Sequence, residues 1–318
     1  MMRDHGGNMD TVQALRGGDD WIDLSTGINR VPYPLPAIPA QAWSALPTAS
    51  ARDALLAAAA QAYGTEAPMV ALAGAQAAIQ MLPLTGTGQA RILSPTYNEH
   101  AACFAEARWQ TEAVSDPQAL AGADVAVVVN PNNPDGRIVA PDQLLALRDK
   151  VGLLVVDESF ADPVPRLSVA PHAGPGLLVL RSFGKFYGLA GVRLGFALGD
   201  PAVVDRLRAM AGPWPVAGPA LAIGTAALGD ASWAAATTAR LAQEAPRMDA
   251  LARARGWTLV GGTHLFRLYD TPDAAAARGH LADHHIWSRI FPWSGRLIRL
   301  GLPGMEGEWQ RLAAALKR

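Results

Sequence analysis

The residues best equipped for chemistry lie in one stretch, Arg181-Ser182-Phe183-Gly184-Lys185-Phe186-Tyr187-Gly188-Leu189-Ala190-Gly191-Val192-Arg193, just past an apolar run at 177–180. It supplies a hydroxyl, an amine in aromatic and glycine surroundings, and a second cation eight residues after the amine. Only three lysines occur, Lys150, Lys185 and Lys317, so 24 of the 27 basic residues are arginines. A genome that writes Arg for Lys explains the bias and sharpens the question of why a lysine stands at 185. Arginine could not replace it for carbonyl chemistry, because only a primary amine forms an imine. Desolvation would lower the lysine pKa and leave a nucleophilic amine. Arg193 could clamp a phosphate with its planar fork. The competing reading is an exposed lysine on a loop.

Three further stretches are placed the same way. Asp157-Glu158-Ser159-Phe160 follows the apolar run 153–156. A carboxylate ending a wholly apolar strand is partly desolvated and needs a partner, which a protonated pyridine nitrogen would provide. A helix N-cap is an equally good use of Asp157. Gly74-Ala75-Gln76 follows 69–73 and opens a helical pattern. Glycine there allows close backbone approach, and free N–H groups at a helix start attract phosphate, although many strand-to-helix turns look alike. Asn130-Pro131-Asn132-Asn133-Pro134-Asp135-Gly136 follows 125–129. Each residue is an ordinary turn former; the seven in this order after a buried strand are more specific.

The elements that must hold these stretches alternate. Between about residues 50 and 210, strand-length apolar runs at 69–73, 92–93, 125–129, 153–156, 177–180 and 194–198 are separated by helical patterns at 51–63, 75–82, 99–108, 141–149 and 201–210. Such alternation predicts a mostly parallel α/β sheet, whose ligands bind at the carboxyl ends of strands. Beyond the break at 212–219 come Ala/Arg/Leu helices at about 220–254 and strands at 258–260 and 265–269. A helix at 273–284, a strand at 297–300 and a closing helix complete a smaller α/β domain. Prolines 32, 34, 36, 39 and 47 forbid a helix over 28–47 and predict an extended arm or a plain linker. The predicted division is an N-terminal arm at 1–48 packing with the small domain, a large domain at 49–215 and a small domain at 216–318.

Composition narrows the function classes. The chain has 318 residues, half of them hydrophobic, and 27 basic against 28 acidic side chains. That balance suggests no nucleic-acid partner and no attraction to an anionic membrane. Cys103 is the sole cysteine, which excludes an intrachain disulfide and a cysteine-based metal site. The start lacks an apolar signal region and no stretch reaches membrane-spanning length, so a soluble cytoplasmic protein is the default expectation.

With His5-Gly6-Gly7-Asn8, Leu24-Ser25-Thr26-Gly27-Ile28-Asn29 and Ser94-Pro95-Thr96-Tyr97 added, the ordered motifs resemble those of fold-type I pyridoxal-phosphate (PLP) enzymes. The resemblance is to the class I/II aminotransferase superfamily and runs over nearly the whole chain. Within it the chain is most similar to the threonine-phosphate decarboxylase branch of cobalamin biosynthesis, with histidinol-phosphate aminotransferases as cousins. The His-Gly-Gly-Asn and Ser-Thr-Gly-Ile-Asn stretches point to the decarboxylase branch. The resemblance implies the α/β fold described, a large domain with a mostly parallel central sheet plus a smaller one, PLP as cofactor, a phosphorylated amino-acid substrate and a homodimer.

It also implies roles. Lys185 would hold PLP as a Schiff base, Asp157 would pair with the pyridinium nitrogen, Tyr97 would stack on the ring and Asn133 would bond the ring oxygen. Ala75, Gln76, Ser182 and Arg193 would hold the cofactor phosphate, and Tyr63 would reach the phosphate of a neighbouring subunit. Arg299 matches a substrate-carboxylate arginine. Arg289 falls near one that contacts substrate phosphate, and His5, Asn8 and Asn29 are further candidates at the substrate end.

Two departures stand out. Phe160 replaces a tyrosine that bonds the ring oxygen in many relatives, a contact worth about 1.5–3 kcal/mol to a charged acceptor. Gly184 replaces a phosphate-binding serine. The implied reaction is decarboxylation of threonine O-3-phosphate to 1-amino-2-propanol O-2-phosphate. The same residues would serve an aminotransferase acting on a substrate such as histidinol phosphate. A sensor or scaffold that merely binds PLP is opposed by the intact Lys185, Asp157, Tyr97 and Arg193. A nicotinamide-binding protein is opposed by Gly86-Thr87-Gly88-Gln89-Ala90-Arg91, which lacks the third glycine and precedes a strand.

Overall fold

The structure is a computed structural model that describes residues 5–317. The chain divides into two units. The first comprises the residues up to Pro32, Pro134–Gly136 and the chain from Ala236 onward; the second comprises Tyr33–Asn133 and Arg137–Ala235.

The first unit begins with a helix, Met9–Arg16, and a short strand, β1 (Ile22–Asp23). The second unit is built on seven strands: β2 (Met69–Leu72), β3 (Gln89–Leu93), β4 (Gln110–Val114), β5 (Val125–Val129), β6 (Leu153–Asp157), β7 (Leu177–Ser182) and β8 (Gly195–Gly199). Their spatial order is β2-β8-β7-β6-β5-β3-β4. All pairings are parallel except those of β8, which is antiparallel to both neighbours. The expected mostly parallel sheet is therefore present. Returning to the first unit, β9 (Thr258–Gly262), β10 (Phe266–Asp270), β12 (Arg289–Phe291) and β13 (Ser294–Gly301) form an antiparallel sheet ordered β12-β13-β10-β9. Strand β11 (Ile286–Trp287) pairs in parallel with β1.

The central strands read as unbroken apolar runs because both faces are covered. Val127, Val155, Leu178 and Leu180 pack with Leu82 and Phe104 in one buried cluster. Each such side chain contributes about 1.5–3 kcal/mol by leaving water. Register then does the positioning. Val129 pairs with Asp157, and Asp157 with Leu180. The ends of β5, β6 and β7 thus lie abreast, and the residues that follow them emerge side by side.

Some elements differ from expectation. Strand β4 was not expected; its sequence, Gln-Thr-Glu-Ala-Val, belongs to a largely exposed sheet edge and carries no apolar run. The proline-rich segment contains a helix, Ala40–Ser44, in the proline-free interval after Pro39, whose φ of −56° suits a helix start. The helix Gly218–Gly229 belongs to the second unit. A Cβ on its Gly224 would lie 2.5 Å from Leu194 and 2.7 Å from Leu55 of the helix Ala49–Tyr63, so these surfaces touch closely. No helix among the described residues is long and apolar enough to cross a membrane.

Candidate active site

The second unit carries a cleft at the carboxyl ends of its strands. Gly74, Ala75, Gln76, Tyr97, Asn133, Asp157, Phe160, Ser182, Lys185 and Arg193 all line it. Every residue expected in the cofactor site except Tyr63 is therefore brought to one place. Lys185 sits in the single helical turn Phe183–Phe186, with its Nζ 5.7 Å from the centre of the buried Phe160 ring. Ser182, the last residue of β7, precedes that turn.

One wall of the cleft has room for backbone only. Gly74 has φ +83°, and a Cβ there would lie 2.7 Å from Arg193 Nη2. A Cβ on Gly195 would lie 2.2 Å from the amide nitrogen of Ala75. Arg193 itself takes φ +54°, a conformation that costs a residue with a Cβ about 1–2 kcal/mol. These close approaches leave the amide at the start of the helix Ala75–Met81 beside the Arg193 guanidinium, an arrangement suited to an anion.

Asp157 is buried, yet it is held as a carboxylate. Burial pushes its pKa up, but His100 and Ser159 outweigh that and bring it below the ordinary value. His100 Nε2 lies 2.9 Å from Asp157 Oδ2, and the Ser159 amide donates to Oδ1 at 3.0 Å. Tyr97 opens the helix Asn98–Glu106 and donates its hydroxyl to Gln76 Oε1 at 3.1 Å. Burial, with Glu99 and Asp157 nearby, pushes the Tyr97 phenol up to about 12. A neutral phenol is thus kept beside a charged carboxylate.

The candidates for the substrate end belong to the first unit. Arg289 and Arg299 are paired across β12 and β13. Burial and the charge of Arg289 lower the Arg299 pKa to about 10, while Asp23 pulls it back. Arg299 Nη2 donates to the Ser25 carbonyl at 2.6 Å. Ser25 Oγ accepts from the Gly7 amide at 2.9 Å, and a Cβ on Gly6 would lie 2.6 Å from the Ser25 carbonyl oxygen. The His-Gly-Gly-Asn stretch is therefore glycine-rich because it lies against the Ser-Thr-Gly-Ile-Asn stretch, whose Ser25 carbonyl accepts from Arg299. Asn8 caps the helix Met9–Arg16. Asn29 is buried and accepts from Arg240 Nη2 at 2.7 Å. His5 is exposed.

Tyr63 is the one expected cofactor residue that does not line the cleft. It is 7 % exposed, its ring lies 4.3 Å from the Arg181 guanidinium carbon, and it meets Phe196 edge-on. Sequence reasoning also missed His100, whose partner is 57 residues away, and Ser159. Their only signal was adjacency: His100 three residues beyond Tyr97, and Ser159 two beyond Asp157.

Residues 19–313 match the family described as aminotransferase class I and II. The chain is 44 % identical to the threonine-phosphate decarboxylase of Pseudomonas aeruginosa, over 99 % of this chain and 97 % of that protein. It is 43 % identical to the threonine-phosphate decarboxylase of a Sinorhizobium species over the same shares. Among solved structures, the histidinol-phosphate aminotransferase of Sinorhizobium meliloti in complex with pyridoxal-5'-phosphate superposes with a TM-score of 0.85. That match has 23 % identity over 96 % of this chain and 92 % of the other, and it establishes the fold.

Proposed function

The chain belongs to the family of class I and II aminotransferases, and on that premise we propose that it is a PLP-dependent decarboxylase of threonine O-3-phosphate. The observation that carries the reaction is the near full-length likeness to threonine-phosphate decarboxylases.

The cleft fits the cofactor on its own terms. A phosphate suits the place where Gly74 and Gly195 leave no space for side chains and the Ala75 amide meets Arg193. A protonated ring nitrogen suits a buried carboxylate held charged by His100 and Ser159. Lys185 would provide the amine, Tyr97 the ring face and Asn133 a hydrogen bond. When bound, PLP supplies a sink for the electron pair released as the Cα–carboxylate bond breaks.

The remaining work falls to this chain's side chains. Asp157 would keep its negative charge and so hold a proton on the ring nitrogen. Lys185 Nζ would deliver a proton to the substrate Cα after carbon dioxide leaves. Arg299 and Arg289 would hold the anionic groups of the substrate. Their grip on the departing carboxylate must not be uniform, since only interactions that strengthen at the transition state accelerate the step.

The test is direct. Purified protein given threonine phosphate should release carbon dioxide and aminopropanol phosphate. Amino transfer to 2-oxoglutarate without carbon dioxide overturns the reaction. The cofactor is tested separately: visible absorbance should disappear with borohydride and be absent from Lys185→Ala. A homodimer completes the reading. Exposed Trp43, Leu46 and Trp214 lie on the second unit and would be covered by another copy. Light scattering should give twice the chain mass of 33.4 kDa.

A further inference from the structure

Behind the cleft lies a group of buried charges that the proposed chemistry does not use. Arg181 precedes Ser182 in β7, and strand alternation points it to the face opposite Leu180 and Ser182. Its Nη1 donates to Glu158 Oε2 at 2.6 Å and its Nη2 to Asp162 Oδ1 at 2.6 Å. All three side chains are enclosed, and the Tyr63 ring covers the guanidinium. Glu158 also accepts from the Val169 amide at 2.6 Å.

The location matters more than the ion pairs themselves. Glu158 and Asp162 lie on either side of Phe160 in a segment without helix or strand. Two backbone bonds shape that turn, from Ala161 to Glu158 at 3.0 Å and from Val164 to Ala161 at 2.8 Å. Within it, Ser159 holds Asp157, and Phe160 faces Lys185. The Arg181 fork closes the turn by gripping both ends at once and joins it to the strand that leads into Lys185.

We propose that Arg181 is a positioning residue: by clasping Glu158 and Asp162 it fixes the turn that sets Phe160 against Lys185 and Ser159 against Asp157. A lysine at 181 would keep the charge but present a point rather than a fork, and could not serve both carboxylates equally. Charge is thereby separable from geometry. Removal of the cation altogether would leave two buried carboxylates uncompensated, so Arg181→Met is the variant most prone to unfold.

The proposal rests on Lys185 being the reacting amine, but its test does not require cofactor. The full-length chain, stripped of cofactor, is labelled with acetic anhydride across a pH series and read peptide by peptide. Lys150 and Lys317 serve as internal controls. The plateau rate at high pH reports access to Lys185 rather than its charge. In Arg181→Lys the Lys185 plateau should rise threefold or more, with Lys150 and Lys317 unchanged. If that variant fails to fold, Asp162→Asn releases one end of the turn at equal size and should give the same rise. A Lys185 plateau that stays at the parent value in a folded variant overturns the proposal, even if thermal stability falls. Failure of the cofactor reading would appear instead in the borohydride experiment on parent protein.

Discussion

Replacing Arg299 by methionine should weaken substrate binding while leaving the fold nearly as stable, or more so. Arg299 is 7 % exposed. Its pKa of about 10 against an ordinary 12.5 corresponds to about 3 kcal/mol working against the charged form in the folded state. A cation whose folded pKa lies below its unfolded value opposes folding at every pH below about 10, and the penalty fades as pH rises from there through 12.5. Methionine removes that penalty at neutral pH. It also deprives the Ser25 carbonyl of its bond from Nη2, at about 1–3 kcal/mol. The two nearly cancel, so urea unfolding at pH 7 should place the variant within about 2 kcal/mol of the parent or above it. Loss of a well-compensated buried cation would instead cost about 3–5 kcal/mol. Steady-state carbon dioxide release should show KM for threonine phosphate raised about 10–150-fold, the equivalent of a charged hydrogen bond of about 1.5–3 kcal/mol. A variant destabilised by more than about 3 kcal/mol, or one with unchanged KM, refutes the reasoning.

Three other substitutions probe the same readings. Gly184→Ser would add a hydroxyl beside the cofactor phosphate, but its Cβ would lie 2.7 Å from the Ala190 Cα, so overpacking should cost about 1–3 kcal/mol in cofactor-free thermal unfolding; an unchanged Tm with tighter PLP binding contradicts this. Asp157→Asn should lower kcat/KM by about 10²–10³-fold. Because the Asp157 pKa is depressed below 3.8, its stabilising contribution is present above that value and lost as pH falls below it, so parent and variant should differ less in unfolding free energy at pH 3 than at pH 7. Arg289→Ala should raise KM for threonine phosphate well beyond the effect of Asp10→Ala, a control in the first turn of the helix Met9–Arg16; equal effects remove Arg289 from the substrate site.

The sheet was legible where burial on both faces writes a continuous apolar run, as in β5, β6 and β7. It was illegible at the β4 edge, where exposed side chains free the sequence from that demand. Site residues were legible when they directly follow a strand, because chain direction alone then puts them at the ligand-binding rim. Partnerships set by register were not. Nothing near His100 in sequence says that it meets Asp157, and nothing near Arg181 announces Asp162. Tyr63, which lies outside the cleft, was placed by packing as well. It ends a helix in a plausible place, but whether a helix end faces outward or into a charge cluster depends on packing that local sequence does not encode.

Two buried arginines differ in electrostatics in the way that a scaffold residue and a proposed binding residue should. Burial alone would lower the pKa of both. For Arg181, Asp162 and Glu158 more than reverse that, and the guanidinium is held charged more firmly than in water. For Arg299, Arg289 adds to the effect of burial and Asp23 only partly offsets it, so the charged form is disfavoured. A cation satisfied by its own chain gains little from an incoming anion and can be spent on geometry. A cation kept charged at a cost gains most when an anion arrives, and the arriving group recovers a penalty already present in the empty fold. Under the proposed function, the same residue type, buried to nearly the same depth, would take two different jobs. The prediction that separates them is opposite in sign: methionine at 299 should spare stability and damage binding, whereas methionine at 181 should damage stability first.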